Sequence, residues 1–350
     1  MNKHALICIA AGSSQIPVIK AAKEEGLKVI AVDQNMYAPG LKYADETIIQ
    51  STYNADLIIR ELYKYGDKYN FKGVITRSSG IPVITVAEIA DEFGLPGVNP
   101  STAINIVYKD KLMNECEKLM IPAPKHQKVT SVKEINWKIL KYPIVIKPSL
   151  GLIGKSGVIK VSNKQDLMTE FDITKRTSYN GIVDIQGYES GHDIILMGFS
   201  INGKLHPVIL IDEINYFDKH GNVEMVGLRV PSIVSESKYE IYNFAQDVIQ
   251  KLNINTSPFL MSCKYQGENL IKLIEIHLDL GGDRILEDLL PMSSDVDFIK
   301  LVIMAVTQNY AEDSNYDFAP ILMIRKDKKE YYKKEYGASK DVEVRWIDKF

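Results

Sequence analysis

Between Ala5 and Asn35 apolar residues come first as an unbroken run, then at helical spacing, then as a run again, in ALICIAAGSSQIPVIKAAKEEGLKVIAVDQN. The outer runs predict buried parallel strands, and Ile16, Ile19 and Ala22 on one face of the middle segment predict a helix. This is a βαβ unit whose glycine turn, Gly12-Ser13-Ser14, stands at the C-terminal edge of the first strand, where open α/β sheets bind ligands. A strand in ADETIIQ, a helix in NADLIIRELYKYGDKY, a strand and turn in FKGVITRSSG and a helix in IPVITVAEIADEFGL continue the alternation. Residues 1–108 are therefore expected to form a small Rossmann-like domain. Its second strand-end turn, Arg77-Ser78-Ser79-Gly80, should face the same crevice as Gly12 to Ser14. With Gly12 alone in place of G-x-G-x-x-G, a dinucleotide is not indicated.

After GLPGVNPSTA the texture changes. YKDKLMNECEKLMIPAPKH predicts a helix stopped by Pro122 and Pro124, and KQDLMTEFDITK a second one. From Gly181 to Ile214 the chain reads as antiparallel strands with a turn at Asn202-Gly203, and KYQGENLIKLIEIHLDLGGD adds a further hairpin. The second half is thus α+β, expected over residues 109–325, and divides into about 109–185 and about 186–325. The remainder, 326–350, is expected as a charged tail, its charge run a solvated helix face.

One hairpin carries a chemical signal. SLGLIGKS, Ser149 to Ser156, is one glycine short of a Walker A loop. A P-loop runs into a helix, whose N-terminus completes the anion site. Here β-branched alternation follows in SGVIKVSN, and YPIVIKP precedes, so the glycines lie at the tip of a β-hairpin. Such a tip is either an ordinary surface turn or a flexible cover for phosphates, with backbone N–H groups and Lys155 as donors.

Composition narrows the class. The chain has 350 residues, 45% hydrophobic and 25% charged, as in ordinary globular proteins of two or three packed subdomains. A net charge of −3 and a pI near 6.1 leave no footprint for nucleic acid or an anionic membrane. Cys8, Cys116 and Cys263 have no paired spacing, which argues against a disulfide framework or a zinc site and for free thiols in a cytoplasmic protein.

A Rossmann-like domain followed by an antiparallel domain with a glycine hairpin resembles the ATP-grasp superfamily. The likeness covers roughly residues 4 to 310 and is closest to the carboxylate–amine ligase branch that includes biotin carboxylase. The resemblance implies ATP clamped between two antiparallel sheets, with Ser149, Gly154, Lys155 and Ser156 of the hairpin over the phosphates. In KDKLMNECEKLMIPAP it puts Lys111 at the phosphates, and in YPIVIKPS it puts Lys147 between the adenine side and the α-phosphate. In VDIQGYESGHD it implies Gln186 as acceptor for the adenine amino group, backbone groups of Tyr188 and Glu189 at the base edge, and Asp193 at the ribose.

The last motif departs from the family. Where the pattern is an acidic residue followed about a dozen positions later by E-x-N-x-R-x-G-G, this chain has LMSCKYQGENLIKLIEIHLDLGG. Glu275, Gly281 and Gly282 match; His277 replaces the asparagine, Asp279 the arginine, and Ser262 or Cys263 the first carboxylate. Glu275, His277 and Asp279 at i, i+2, i+4 are expected on one strand face as a metal set for Mg²⁺, with Mn²⁺ tolerated, or else form an ordinary polar face.

The resemblance implies an ATP-dependent ligase that joins a small-molecule carboxylate to an amine through an acyl phosphate. Lys155, with Arg229 or Arg284 in place of the missing arginine, would serve the transfer, and Gly12–Ser14, Ser78–Gly80, Gly281 and Gly282 would line the acceptor crevice. No nucleic-acid or membrane partner is expected, and a homodimer is compatible with it. The alternative is a degenerate ATP-grasp protein that binds nucleotide without catalysis, as a regulator or partner subunit.

Overall fold

The computed structural model describes residues 2–151, 154–282, 284–310, 316–336 and 342–349. Strands β1 (Lys3–Ile9), β2 (Lys28–Val32), β3 (Glu46–Ile48) and β4 (Tyr69–Thr76) form an all-parallel sheet in the order β3-β2-β1-β4. Crossover helices Ile16–Glu24 and Ala55–Tyr63 connect them, as the alternation of apolar runs and helical spacing requires. Sheet residues are buried on both sides, which explains the near-continuous apolar strands.

Two further sheets follow. The smaller holds β5 (His126–Val129), β6 (Ile144–Pro148), β7 (Ile159–Val161) and β8 (Val183–Gly187) in the order β5-β8-β6-β7, every pair antiparallel. The larger runs β13-β12-β9-β10-β11-β14-β15. Its strands are β9 (His192–Ile201), β10 (Lys204–Phe217), β11 (Val223–Val230), β12 (Ser257–Tyr265), β13 (Ile271–His277), β14 (Ile321–Arg325) and β15 (Glu343–Ile347). Helix Phe298–Val306 wedges between the parallel sheet and this larger one. Its Val302, Ile303 and Val306 share a core with Leu6, Cys8 and Ile75 on one side and Met197, Phe199 and Leu260 on the other. Gly73 permits the approach, since a Cβ there would lie 2.8 Å from the Val306 carbonyl oxygen. The crevice of the first domain is thereby held against the second.

The C-terminal segment departs from the expected solvated tail. Within it, β15 pairs in parallel with β14, and Tyr332 of the helix Lys329–Tyr336 is buried beside Ile214, Val226, Leu322 and Ile324. The lysines and glutamates mask an aromatic face, Tyr331, Tyr332 and Trp346, that packs on the sheet. No helix among the described residues is long and apolar enough to cross a membrane.

Candidate active site

The glycine hairpin joins β6 to β7, two antiparallel strands, with no helix after it. Gly157 has φ +77°, and a Cβ on it would lie 2.0 Å from Thr177 Oγ1, so only glycine fits. Leu152 and Ile153 of the tip lie outside the described residues. Lys155 does not point into solvent. Its ammonium donates to Glu213 Oε1 at 2.5 Å and Asn215 Oδ1 at 2.8 Å, both on β10 of the larger sheet. Burial depresses the Lys155 ammonium and the carboxylates of Glu213, Glu275 and Asp193 outweigh it, lifting it above the usual lysine range.

Lys147 projects from β6 and is only 6% exposed, with no ion pair among the described residues. Burial pulls its ammonium below the ordinary range, Glu275 and Asp184 oppose that, and the neighbouring Lys109 and Lys155 add to it. A buried cation beside two more is a costly arrangement that a polyanion relieves.

Lys111, expected at the phosphates, is elsewhere: it is exposed and its ammonium lies over the Tyr108 ring, 5.0 Å from the centroid. Lys109, two positions earlier on the same helix and so about 200° around it, points instead toward β13, 3.4 Å from Glu275 Oε2. Ser149 also leaves the expected set. Its hydroxyl, fully buried, donates to Asp110 and accepts from Asn180, while its carbonyl accepts from Lys109 N–H at 2.8 Å. Ser149 therefore fixes the start of the lysine helix instead of facing a ligand.

Glu275 is the electrostatic centre. Burial disfavours its charge, but Lys109, His277 and Lys147 prevail and hold its carboxyl well below the usual carboxylate range. His277 Nε2 stands 3.5 Å from Glu275 Oε1. Burial works against the imidazolium, and the carboxylates of Glu275 and Asp279 overcome it, so its pKa rises. Asp279 lies beyond the end of β13, where its Oδ1 accepts from Gly281 N–H at 2.7 Å and its buried Oδ2 has no partner. The expected metal set is not assembled: among the described residues no three His, Cys, Asp or Glu side chains are grouped to hold an ion. His277 is turned to Glu275, and Asp279 serves its own turn. Glu275 alone fits, since Mg²⁺ is commonly held by one or two carboxylates together with substrate phosphates.

At the hinge between the sheets, Gln186 is buried on β8. Tyr188 N–H, expected at the base edge, is already bonded to the Pro143 carbonyl at 3.2 Å. The Tyr188 ring instead carries the Lys160 ammonium 3.7 Å from its centroid. The Glu189 carboxylate pairs with Lys272 at 2.7 Å, which leaves its backbone for a ligand. Asp193 pairs with Lys264 at 2.9 Å, and burial raises its carboxyl above the usual range.

The three crevice turns are brought together. Gln15, 2% exposed, donates to the hydroxyls of Ser14 and Ser78 and accepts from Arg77 N–H. The Arg77 guanidinium donates to the carbonyls of Ser14 (3.1 Å) and Gly281 (3.2 Å) and pairs with Glu287. Beside them a cavity of about 410 Å³ is lined by Ala10, Asp33, Ser51, Tyr53, Ser78 and Ser79, among others. Gly12, Ser13, Gly80 and Gly282 belong to the same turns; Asp283 lies outside the described residues. Arg284 is turned away, held by Asp288 and the Lys349 carbonyl. Arg229, directly across from Asp212 on β10, keeps a buried Nε without a partner.

Sequence reasoning missed Lys109, Glu213, Asn215 and Gln15. The i, i+2 placement of Glu213 and Asn215 in IDEIN, which puts both on one strand face, was the signal for those two.

Residues 7–100 match the family described as PylC-like, N-terminal domain. A formate-dependent phosphoribosylglycinamide formyltransferase of Prochlorococcus marinus is 24% identical over 184 residues, 51% of this chain and 46% of that protein. The match thus spans about half of each. An L-amino acid ligase from Bacillus licheniformis superposes with a TM-score of 0.71 at 20% identity, covering 88% of this chain and 76% of that one. N5-carboxyaminoimidazole synthetase from Staphylococcus aureus, complexed with ADP, gives 0.73 at 16% identity over 98% and 91%. Residues 7–100 thus match a PylC-like N-terminal domain, and the chain as a whole shares the fold of these ligase and synthetase structures.

Proposed function

We propose that the protein uses ATP to activate a small-molecule carboxylate and join it to an amine. One observation carries this reading: between two antiparallel sheets Lys109 stands 3.4 Å from Glu275, and the same carboxylate acts electrostatically on the ammonium groups of Lys147 and Lys155 from the hairpin. Three ammonium groups around a partly buried cleft suit a triphosphate, whose charge they neutralise without reorganisation.

In the reaction, a carboxylate oxygen of the acceptor attacks the γ-phosphorus, and the bond to the β,γ-bridging oxygen breaks to release ADP. The amine nitrogen then attacks the acyl carbon; inorganic phosphate departs with the C–O electron pair, and the nitrogen loses a proton. Lys147 and Lys109 hold the phosphates in line, and Lys155 leaves Glu213 to cover them. Arg229, with its unsatisfied Nε, is the guanidinium available for the acyl phosphate; Arg284 is engaged elsewhere. Mg²⁺, held by Glu275, would add charge screening at the phosphates. The acceptor would bind in the cavity between Asp33, Ser51 and Ser78, next to the turns that Arg77 and Gln15 tie together. That cavity includes no lysine or arginine among its lining residues, which favours acceptors without a phosphate group.

The test is ADP release with Mg²⁺ over a panel of amino acids, small carboxylic acids and phosphoribosyl amines. Release that needs one carboxylate and one amine together, with stoichiometric amide formation, is the expected result. ATP binding with no release on any pair would overturn the catalytic reading.

A further inference from the structure

The smaller sheet ends at β7, and the outer edge of that strand is covered from the larger sheet, by the turn 218–222 that joins β10 to β11. Lys160 N–H donates to the Gly221 carbonyl at 2.8 Å, and Val223 N–H donates to the Val158 carbonyl at 3.2 Å. These two bonds flank Ile159 and Asn222, which face each other as an antiparallel bridge. Asp218 shapes the turn for this contact. Its Oδ1 accepts from the N–H groups of His220 at 2.8 Å and Asn222 at 2.9 Å, and its Oδ2 accepts from Asn222 Nδ2 at 2.8 Å. Gly221 has φ +84°, and a Cβ on it would lie 2.0 Å from the Lys160 carbonyl oxygen. Backbone lies against backbone here, and only glycine allows it.

Side chains carry the contact on to the connection between β8 and β9. The Lys160 ammonium stands 3.7 Å from the Tyr188 ring centroid and 4.9 Å from that of Phe217, and the two rings meet edge to face at 6.1 Å. Tyr188 follows β8 and Phe217 ends β10, so one cation joins β7, the inter-sheet connection and the turn.

These ties exist between sheets whose separation decides access to the cleft. Lys147, within the proposed phosphate site, is 6% exposed, so a triphosphate reaches its ammonium only when the sheets part. We infer that the turn 218–222 is a clasp on the edge of β7, which lets go for a nucleotide to enter or leave and closes again behind it. The inference rests on the nucleotide site proposed above. It concerns backbone groups of the hairpin's outgoing strand, apart from the side-chain pair of Lys155 and Glu213.

A clasp of this kind has a kinetic signature. It is made before nucleotide arrives and is made again once nucleotide is inside, so it stabilises the free and bound closed forms alike and opposes only the open form between them. A restraint without differential interaction with the two end states leaves their equilibrium alone. Weakening the clasp should therefore speed association and dissociation together and leave their ratio, the affinity, nearly unchanged. A turn that merely covers a strand edge would leave both rates as they are.

Surface plasmon resonance with ATP and Mg²⁺ over the immobilised full chain measures both rates, and hydrogen exchange at the Lys160 and Val223 amides reports whether the clasp is made. In Gly221→Ala the new Cβ collides with the Lys160 carbonyl. Both amides should exchange faster, and both ATP rates should rise by about fivefold or more, the worth of two backbone hydrogen bonds, with affinity within about twofold. Asp218→Ala removes the acceptors that shape the turn without creating a collision, and it should act in the same direction. Ile159→Cys/Asn222→Cys works the other way. The pair lies between the two hydrogen bonds, where Cα atoms are about 4.5 Å apart and within disulfide reach. Its oxidised form should take up ATP at least about tenfold more slowly than the same protein after reduction. Variants whose amides exchange faster while ATP rates stay parental overturn the clasp, as does an oxidised double variant that binds ATP as fast as its reduced form. Parental exchange at both amides in Gly221→Ala and Asp218→Ala overturns it too. A parent that binds no ATP overturns the ligase reading, and the clasp's role with it.

Discussion

Lys155 of the glycine hairpin and Glu213 of β10 form a 2.5 Å ion pair that ties the smaller sheet's loop to the larger sheet. Neither residue is near the other in sequence, and a phosphate placed between the sheets competes with Glu213 for the same ammonium. The hairpin is therefore latched by Glu213, the group that a nucleotide bound as proposed above would displace.

Glu213→Gln should release that latch. Amide exchange over residues 154–158 is expected to rise severalfold in the free protein and to fall again with ATP bound, because the loop's remaining contacts, such as Thr174 Oγ1 to the Gly157 carbonyl at 2.9 Å, are few. Hydrogen-exchange mass spectrometry measures this. Equal exchange in parent and variant would mean the ion pair does not hold the loop.

Lys109→Ala and Lys147→Ala should each weaken ATP binding by about 1.5–3 kcal/mol, the worth of a charge-assisted partner to a partly buried phosphate. Lys111→Ala should bind ATP like the parent, since its ammonium lies over Tyr108 on an exposed face. Calorimetry separates the two lysines of the same helix. A loss in Lys111→Ala equal to that in Lys109→Ala would return the phosphate role to Lys111.

Much of this architecture was legible because it is written in periodicity. The parallel sheet follows from apolar runs alternating with helical spacing, and the hairpin from the β-branched residues on both sides of the glycines. What escaped was phase and partnership. KDK offers two lysines, and only the helix's rotation, set by Ser149 and Asp110 at its start, decides that Lys109 faces the cleft. Strand alternation put Glu275, His277 and Asp279 on one face, but β13 ends at His277 and the chain turns to let Asp279 accept from Gly281. Partners across 58 residues, as for Lys155 and Glu213, leave no local trace. The tail misled because its charges are exposed while its tyrosines and tryptophan pack inward.

Arg229→Lys should lower turnover by about a hundredfold at saturating ATP while leaving ATP affinity within about twofold, the pattern of a group engaged mainly in the transition state. A lysine keeps the charge and loses the planar fork. Arg284→Ala should change turnover little, because that guanidinium is bound to Asp288 and the Lys349 carbonyl. Steady-state ADP release distinguishes them, and the reverse ranking would exchange their roles.

The altered metal motif can be tested by restoring its missing carboxylate. Ser262 on β12 stands directly opposite Glu275 on β13, so the two side chains share one sheet face. Ser262→Asp would place a second carboxylate next to Glu275, within a site where Lys109 now supplies the counter-charge at 3.4 Å. Cation affinity follows the number of charged oxygen ligands. The Mg²⁺ concentration for half-maximal ADP release should therefore fall, on the order of tenfold, with Lys109 shared between two acids. Asp279→Arg, which would restore the family's arginine, should act in the opposite direction. It deletes the acceptor for Gly281 N–H and sets a guanidinium at a position 1% exposed, beside an imidazole already raised toward its charged form. Its ADP release should drop at every Mg²⁺ concentration, and its melting temperature with it. Metal titrations of ADP release, run beside thermal melts, measure both effects. A Ser262→Asp protein with the parental Mg²⁺ dependence would show that Glu275 does not face the ion.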